Sequence, residues 1–213
     1  PEVNTPRLDR LASQGTLFTQ FYTASAMCSP TRASLLTGRF PAHLGIHDVF
    51  SSLPAKNAEK GMNNFLDPAF PMLTRLLQED GYVTGHLGKW HLGGTADSPD
   101  PGAYGIDEHL TLSSNGPQLE DPLNDPLTFR ARSSELLVDE AIAFIDAHKG
   151  EPFFLNLWML LPHSVLTPTE EQTAMYDRYV PPLSADRGTR QIYYASVTDL
   201  DTQVGRLLDH LDA

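Results

Sequence analysis

Cys28, the only cysteine of the chain, stands in the run Ala26-Met27-Cys28-Ser29-Pro30-Thr31-Arg32-Ala33-Ser34-Leu35-Leu36-Thr37-Gly38-Arg39. Pro30 suits the first turn of a helix, where its missing N–H would be unpaired in any case; Ser29 can cap that turn and Gly38 suits the exit. The pattern predicts a helix over Pro30 to Thr37. Its N-terminus offers backbone N–H groups and a partial positive charge, Arg32 adds a planar guanidinium, and Cys28 lies at the mouth of an anion site. The plain alternative is a small buried hydrophobe at the start of an ordinary helix. A second run, Gly81-Tyr82-Val83-Thr84-Gly85-His86-Leu87-Gly88-Lys89-Trp90-His91-Leu92-Gly93, ends a strand with a lysine and a histidine. Side chains alternate faces in an extended segment, so Lys89 and His91 point together and Trp90 points into packing. That pair suits an anionic substrate, with lysine as fixed charge and histidine as donor or proton shuttle; solvated polar residues at a strand end are the plain alternative. His163 follows Pro162 at the end of an apolar strand, where α/β sheets gather their ligands, although a histidine after proline is also an ordinary loop residue.

The elements that would position these groups follow from pattern and punctuation. Thr5 caps and Pro6 opens a short helix that leaves at Gly15, and Thr16 to Tyr22 reads as a strand delivering the chain to Cys28. Phe40 to Pro71 is loop-rich. A helix from Pro71 to Asp80 leads into a strand from Tyr82 to Gly88, and Gly93 to Pro126 is dense in Pro, Gly, Asp and Asn and reads as loop. Ser134 to His148 has helical apolar spacing, Pro152 to Leu160 reads as a strand buried on both faces, and Arg187 to His210 is a core-facing helix. Helix and strand alternate throughout, which predicts an α/β fold with a largely parallel or mixed sheet.

At 213 residues, 40% hydrophobic and 20% charged, the chain is long enough for a sizeable core and has no apolar run of bilayer length. A net charge of -12 argues against nucleic acid as a partner. An anion site in so acidic a chain needs local focus, which Arg32, Arg39, Lys89 and the histidines would supply. A single cysteine allows no internal disulfide, so compartment cannot be read from cysteine pairing. His43 and His47 have metal-compatible spacing only if helical, and Pro41 and Gly45 oppose that. His86, His109, His148 and His210 read as structural or surface residues, and Asp199/Asp201 and Asp97/Asp100 as solvated faces and loop turns.

Cys28, Pro30 and Arg32, continued by Leu35, Leu36, Thr37 and Gly38, resemble the signature of the sulfatases, whose cysteine is oxidised after translation to the aldehyde formylglycine. Gly81-Tyr82-Val83-Thr84 followed by Gly88-Lys89-Trp90-His91 resembles the second sulfatase signature, with Leu87 a departure from it. Pro162-His163 resembles the family's Pro-His pair, with Ser164 and Val165 replacing the usual Thr-Pro. The similarity runs from Thr5-Pro6-Arg7-Leu8-Asp9 to Tyr193-Tyr194 and Val204-Gly205-Arg206-Leu207-Leu208.

The resemblance implies an alkaline-phosphatase-like α/β/α sandwich with a mixed, largely parallel sheet, incomplete at both termini, residues 1–213 being the central part of one catalytic domain. It implies hydrolysis of sulfate esters of the arylsulfatase kind, on a small molecule or a glycan. One hydroxyl of hydrated formylglycine 28 attacks sulfur and the alcohol leaves; loss of the second hydroxyl's proton then expels sulfate. Arg32 and Lys89 would steady nucleophile and sulfate, His91 would take that proton, and His163 would assist the leaving oxygen. The family also implies Ca2+ or Mg2+, of whose ligands only Cys28, as formylglycine, is carried over; the others are expected outside this chain. A formylglycine-generating enzyme is the expected maturation partner, and the segment by itself is expected to be inactive. Family members are often periplasmic, secreted or lysosomal. Two alternatives stand beside this: a phosphonate or phosphate ester hydrolase of the same superfamily, and a non-catalytic remnant that binds anions or a partner.

Overall fold

The computed structural model describes residues 2–112, 126–179 and 188–213, with backbone alone for 126–128. In chain order the elements are α1 (Pro6–Gln14), α2 (Cys28–Thr37), α3 (Pro41–Leu44), α4 (Pro54–Glu59), α5 (Leu73–Glu79), β1 (Val83–Lys89), β2 (Glu108–Leu112), α6 (Pro126–His148), β3 (Phe153–Trp158), α7 (Glu170–Ala174) and α8 (Thr189–Leu211). They divide into two units, one of Gln20–Ser114 with Phe144–Trp158, the other of Pro1–Thr19, Asn115–Ala143 and Met159–Ala213. Among the described residues no helix is long and apolar enough to cross a membrane.

The first unit is built on β1, which is buried from Thr84 to Lys89 and lies between β2 and β3 in a parallel sheet of order β2-β1-β3. Parallel strands covered on both faces are mostly apolar, and β1 nonetheless carries His86. Its ring is wholly buried, Nδ1 lies 3.0 Å from Asn156 Nδ2, and it stands edge-on to Trp90 and Trp158. The amide can only donate there, so Nδ1 accepts and the proton sits on Nε2. Trp90 joins Ala33, Leu36, Leu66, Met72 and Tyr104 in the core beneath α2. α2 ends as its sequence predicts, with Gly38 in the left-handed conformation at φ 64.

The second unit rests on α8. Asp199 and Asp201, expected on a solvated face, are instead held inward. Asp201 is 1% exposed and accepts from Arg7 N at 3.1 Å and Leu8 N at 2.8 Å, so it caps α1 from across the unit. Thr5, the expected cap, makes no side-chain capping bond. Asp199 is half-buried and accepts from Gln172 Nε2 at 2.9 Å; burial raises its pKa. Arg130 of α6 is buried and donates to the carbonyls of His163 and Val165.

Other expectations need correction. Thr16 to Tyr22 forms no strand, and Leu17, Phe18, Phe21 and Tyr22 are each at least 69% exposed: apolar content alone cannot hold an extended segment that pairs with no neighbouring strand. The reading of Gly93 to Pro126 as loop misses β2, a short strand whose first three residues, Leu110 among them, are exposed; residues 113–125 lie outside the described set. A single 3-10 turn at Pro101–Tyr104 precedes it. Phe40 to Pro71 contains α3 and α4, each opened by a proline. β3 is mostly half-buried rather than buried on both faces, because among the described residues it pairs only with β1. The predicted start of the last helix at Arg187 lies outside the described residues, and α8 runs from Thr189.

Two outcomes follow from these packings. Burial, reinforced by the charge of Arg32, pushes the His86 pKa from 6.5 down to about 3. The unfolded chain then binds a proton below about pH 6.5 that the folded chain refuses, so stability is full above that pH and falls as the pH drops towards 3. In acid titrations of stability, His86→Gln is expected to flatten this loss by up to about 1.4 kcal/mol per pH unit; parallel wild-type and variant curves would contradict the assignment. Asp201→Ala removes the acceptor for the first turn of α1 and is expected to cost about 1–3 kcal/mol in urea unfolding, whereas an unchanged midpoint would show the cap to be energetically idle.

Candidate active site

The site is assembled where the C-terminal end of β1 meets the first turn of α2, the edge at which parallel sheets present their ligands. Cys28 is the first residue of α2 rather than a residue ahead of it, two positions earlier than the sequence predicts. Pro30 still costs nothing there, since the first intrahelical bond runs from Thr31 N to Met27 O at 3.3 Å. Ser29 does not cap the helix. Its hydroxyl donates to the His91 carbonyl at 2.7 Å and accepts from Phe50 N at 3.1 Å, tying the helix start to the backbone beyond β1.

Lys89 is the last residue of β1, 2% exposed, and donates from Nζ to Cys28 Sγ at 3.3 Å. Gly88 holds φ 98 just before it, a conformation that glycine alone adopts at ease. Arg32 donates from Nη1 to the Lys89 carbonyl at 2.6 Å, and its guanidinium carbon lies 4.4 Å from the centre of the Trp158 ring. Burial lowers the Arg32 pKa to about 10, partly offset by Cys28, which leaves it cationic at neutral pH.

His91 departs from the strand geometry that was to align it with Lys89, for it holds φ 55 and the alternation of faces ends at Trp90. Its Nε2 lies 3.2 Å from the Phe50 carbonyl, which can only accept, so that nitrogen carries a proton. Cys28, Arg32, Lys89 and His91 all belong to one unit. His163 belongs to the other, where it is exposed, its Nδ1 donates to its neighbour Ser164 O at 2.6 Å and its carbonyl accepts from Arg130. Arg39, expected to help focus charge, instead lies over the Phe70 ring at 5.6 Å.

Three participants escape a reading by sequence. Ser29 is visible within the cysteine run but its cross-chain bonds are not; Phe50 acts only through its backbone, which no residue type signals. Trp158 reads as strand filling until β3 pairs with β1 and sets it opposite Gly88.

Chemically, two buried or half-buried cations and a helix N-terminus converge on a half-buried thiol, an arrangement suited to an anion beside a nucleophile. It does not suit a cation. Among the described residues no group of three or more His, Cys, Asp or Glu side chains could hold a metal ion, so the Ca2+ or Mg2+ expected from the resemblance finds no donor set among them.

The comparisons with known proteins agree with this chemistry. A sequence model of the family described as Sulfatase matches residues 1–213. N-acetylgalactosamine-6-sulfatase of Homo sapiens is 29% identical over 235 residues, which cover 99% of this chain and 42% of the human protein. The crystal structure of Ps i-CgsB in complex with k-i-k-neocarrahexaose superposes with a TM-score of 0.75 at 30% identity, over 98% of this chain and 49% of that one. Phosphonate monoester hydrolase of Agrobacterium radiobacter, 19% identical with a TM-score of 0.66 over 99% of this chain and 55% of that one, shares the fold. The chain thus spans about half the length of the proteins it matches, and its fold is the α/β, alkaline-phosphatase-like one. Matched along its whole length by the family's sequence pattern, the chain belongs to the sulfatase family.

Proposed function

We propose that this chain carries the nucleophile and the anion-binding half of a sulfate ester hydrolase, with Cys28 matured to formylglycine. The observation that carries the reading is the placement of Lys89 Nζ at 3.3 Å from Cys28 Sγ, at the start of α2. Here Sγ stands for the carbon-bound oxygens that a hydrated aldehyde would present at the same position, and that hydrate would supply the attacking hydroxyl.

The residues present do the rest. The first-turn N–H groups of α2, Lys89 and Arg32 bind the sulfate and oppose the charge that builds on its oxygens as the ester bond breaks. With Nε2–H committed to Phe50 O, His91 exchanges a proton through Nδ1, the nitrogen suited to collect the one lost from the second hydroxyl. His163, whose Nδ1 is committed to Ser164 O, would assist the leaving oxygen through Nε2; that role rests on the family pattern. The names of the relatives support a sulfated sugar as the substrate class, and the family pattern, which spans residues 1–213, supports reading them as part of one catalytic domain.

The test uses the full-length protein produced with a formylglycine-generating system. Mass spectrometry of the Cys28 peptide is expected to show the aldehyde, and an unmodified thiol would remove the maturation step. Cys28→Ala should reduce hydrolysis of an aryl sulfate to background, and Lys89→Ala should lower kcat/KM by about 100- to 1,000-fold. Faster turnover of a matched aryl phosphonate would replace the sulfatase reading with the phosphonate one. A matured protein that binds sulfate but hydrolyses neither ester would support the non-catalytic alternative.

A further inference from the structure

Trp158 ends β3 and is paired in register with Gly88, the residue before Lys89. The ring is braced by neighbours: it lies nearly parallel to Trp90, with centroids 6.3 Å apart, and edge-on to His86 at 5.0 Å. On it rests the guanidinium of Arg32, 4.4 Å from its centre.

We propose that Trp158 is a positioning residue for Arg32, its ring and the Lys89 carbonyl together forming a seat that aims the guanidinium at an anion bound beside Cys28. A single bond from Nη1 to Lys89 O leaves the guanidinium able to swing about that bond. A flat ring against its face removes the swing, because the aromatic quadrupole attracts the cation only when it lies over the ring. The choice of partner matters as much as the rigidity. A desolvated arginine is commonly steadied by a carboxylate, but a carboxylate here would neutralise the site and compete with a sulfate for the guanidinium edge. Among the described residues Arg32 has no ion pair, and the indole steadies it without adding charge. His86, packed on the same ring, stays neutral and adds no further cation.

The seat is a matter of geometry; its catalytic consequence rests on the sulfatase reading, and the experiment separates the two. In full-length protein left unmatured, Cys28 is alkylated with anionic iodoacetate and with neutral iodoacetamide. The ratio of the two rates reports how well the neighbouring cations receive an anion, and loosened packing by itself does not change it. Trp158→Leu is expected to lower that ratio about fivefold and Trp158→Phe, which keeps an aromatic face, to hold it within about twofold. Arg32→Gln should lower it as well, and adding Trp158→Leu to Arg32→Gln should lower it no further, as required if the ring acts through the guanidinium. Trp158→Met gives a second ring-less variant should leucine prevent folding, with thermal unfolding monitored throughout. In matured enzyme, Trp158→Leu should cost about tenfold in kcat/KM for a sulfate ester, with Trp158→Phe near wild type. An unchanged alkylation ratio in a folded ring-less variant, or a drop that persists without Arg32, overturns the proposal and leaves the sulfatase reading intact. A ratio that shifts as described in a protein with no esterase activity keeps the seat and removes the reading.

Discussion

The bond from Arg32 Nη1 to the Lys89 carbonyl is the contact on which the chemistry of this chain depends, because it locks a helix start to a strand end. β1 is the central strand of its sheet and is buried almost throughout, so its end has little freedom. α2 inherits that rigidity through Arg32, through Ser29 on the His91 carbonyl and through Lys89 on Cys28. A reacting group held from a strand end and a helix start at once keeps its place more closely than one on a loop.

Under the proposed function, the arrangement would let so acidic a chain receive an anion. Net charge sets the distant field, but a ligand at Cys28 meets the local one, where Lys89 is almost fully desolvated and Arg32 partly so. Removing cations from water is costly, and the cost falls when they bind charge-assisted partners or an aromatic face. A thiol, a backbone carbonyl and an indole are among the partners here, and none of these three carries a carboxylate charge that would compete with an anion. Burial first, and the charge of Arg32 after it, keep His86 neutral, so its ring adds no further cation.

In the second unit two buried ionisable side chains fix backbone. Asp201 takes the N–H groups that open α1, and Arg130 takes the carbonyls of residues 163 and 165, so each ionisable side chain settles a main-chain segment. Asp201 reads as a solvated charge in the sequence. Asp201 lies one helical step from residues of the apolar stripe, and only the approach of α1 turns it inward.

The sequence by itself determined the residues of the site and the local elements that carry them. Cys28 with Pro30 and Arg32, the Gly88-Lys89-Trp90-His91 run, the left-handed turn at Gly38 and the strand through His86 all follow from conformational preferences within a few residues. It could not determine what those residues face. The strand expected at Thr16 to Tyr22 is absent and β2 was hidden because pairing is a property of two segments, and Ser29 was misread as a cap because its partners lie 21 and 62 residues away. His91 leaves the extended path and meets the Phe50 carbonyl 41 residues away, and Trp158 comes beside Gly88 through the pairing of β3 with β1. Short-range sterics choose an element, whereas long-range packing and hydrogen bonding decide which of its side chains meet, and the chemistry of this chain depends on that second choice.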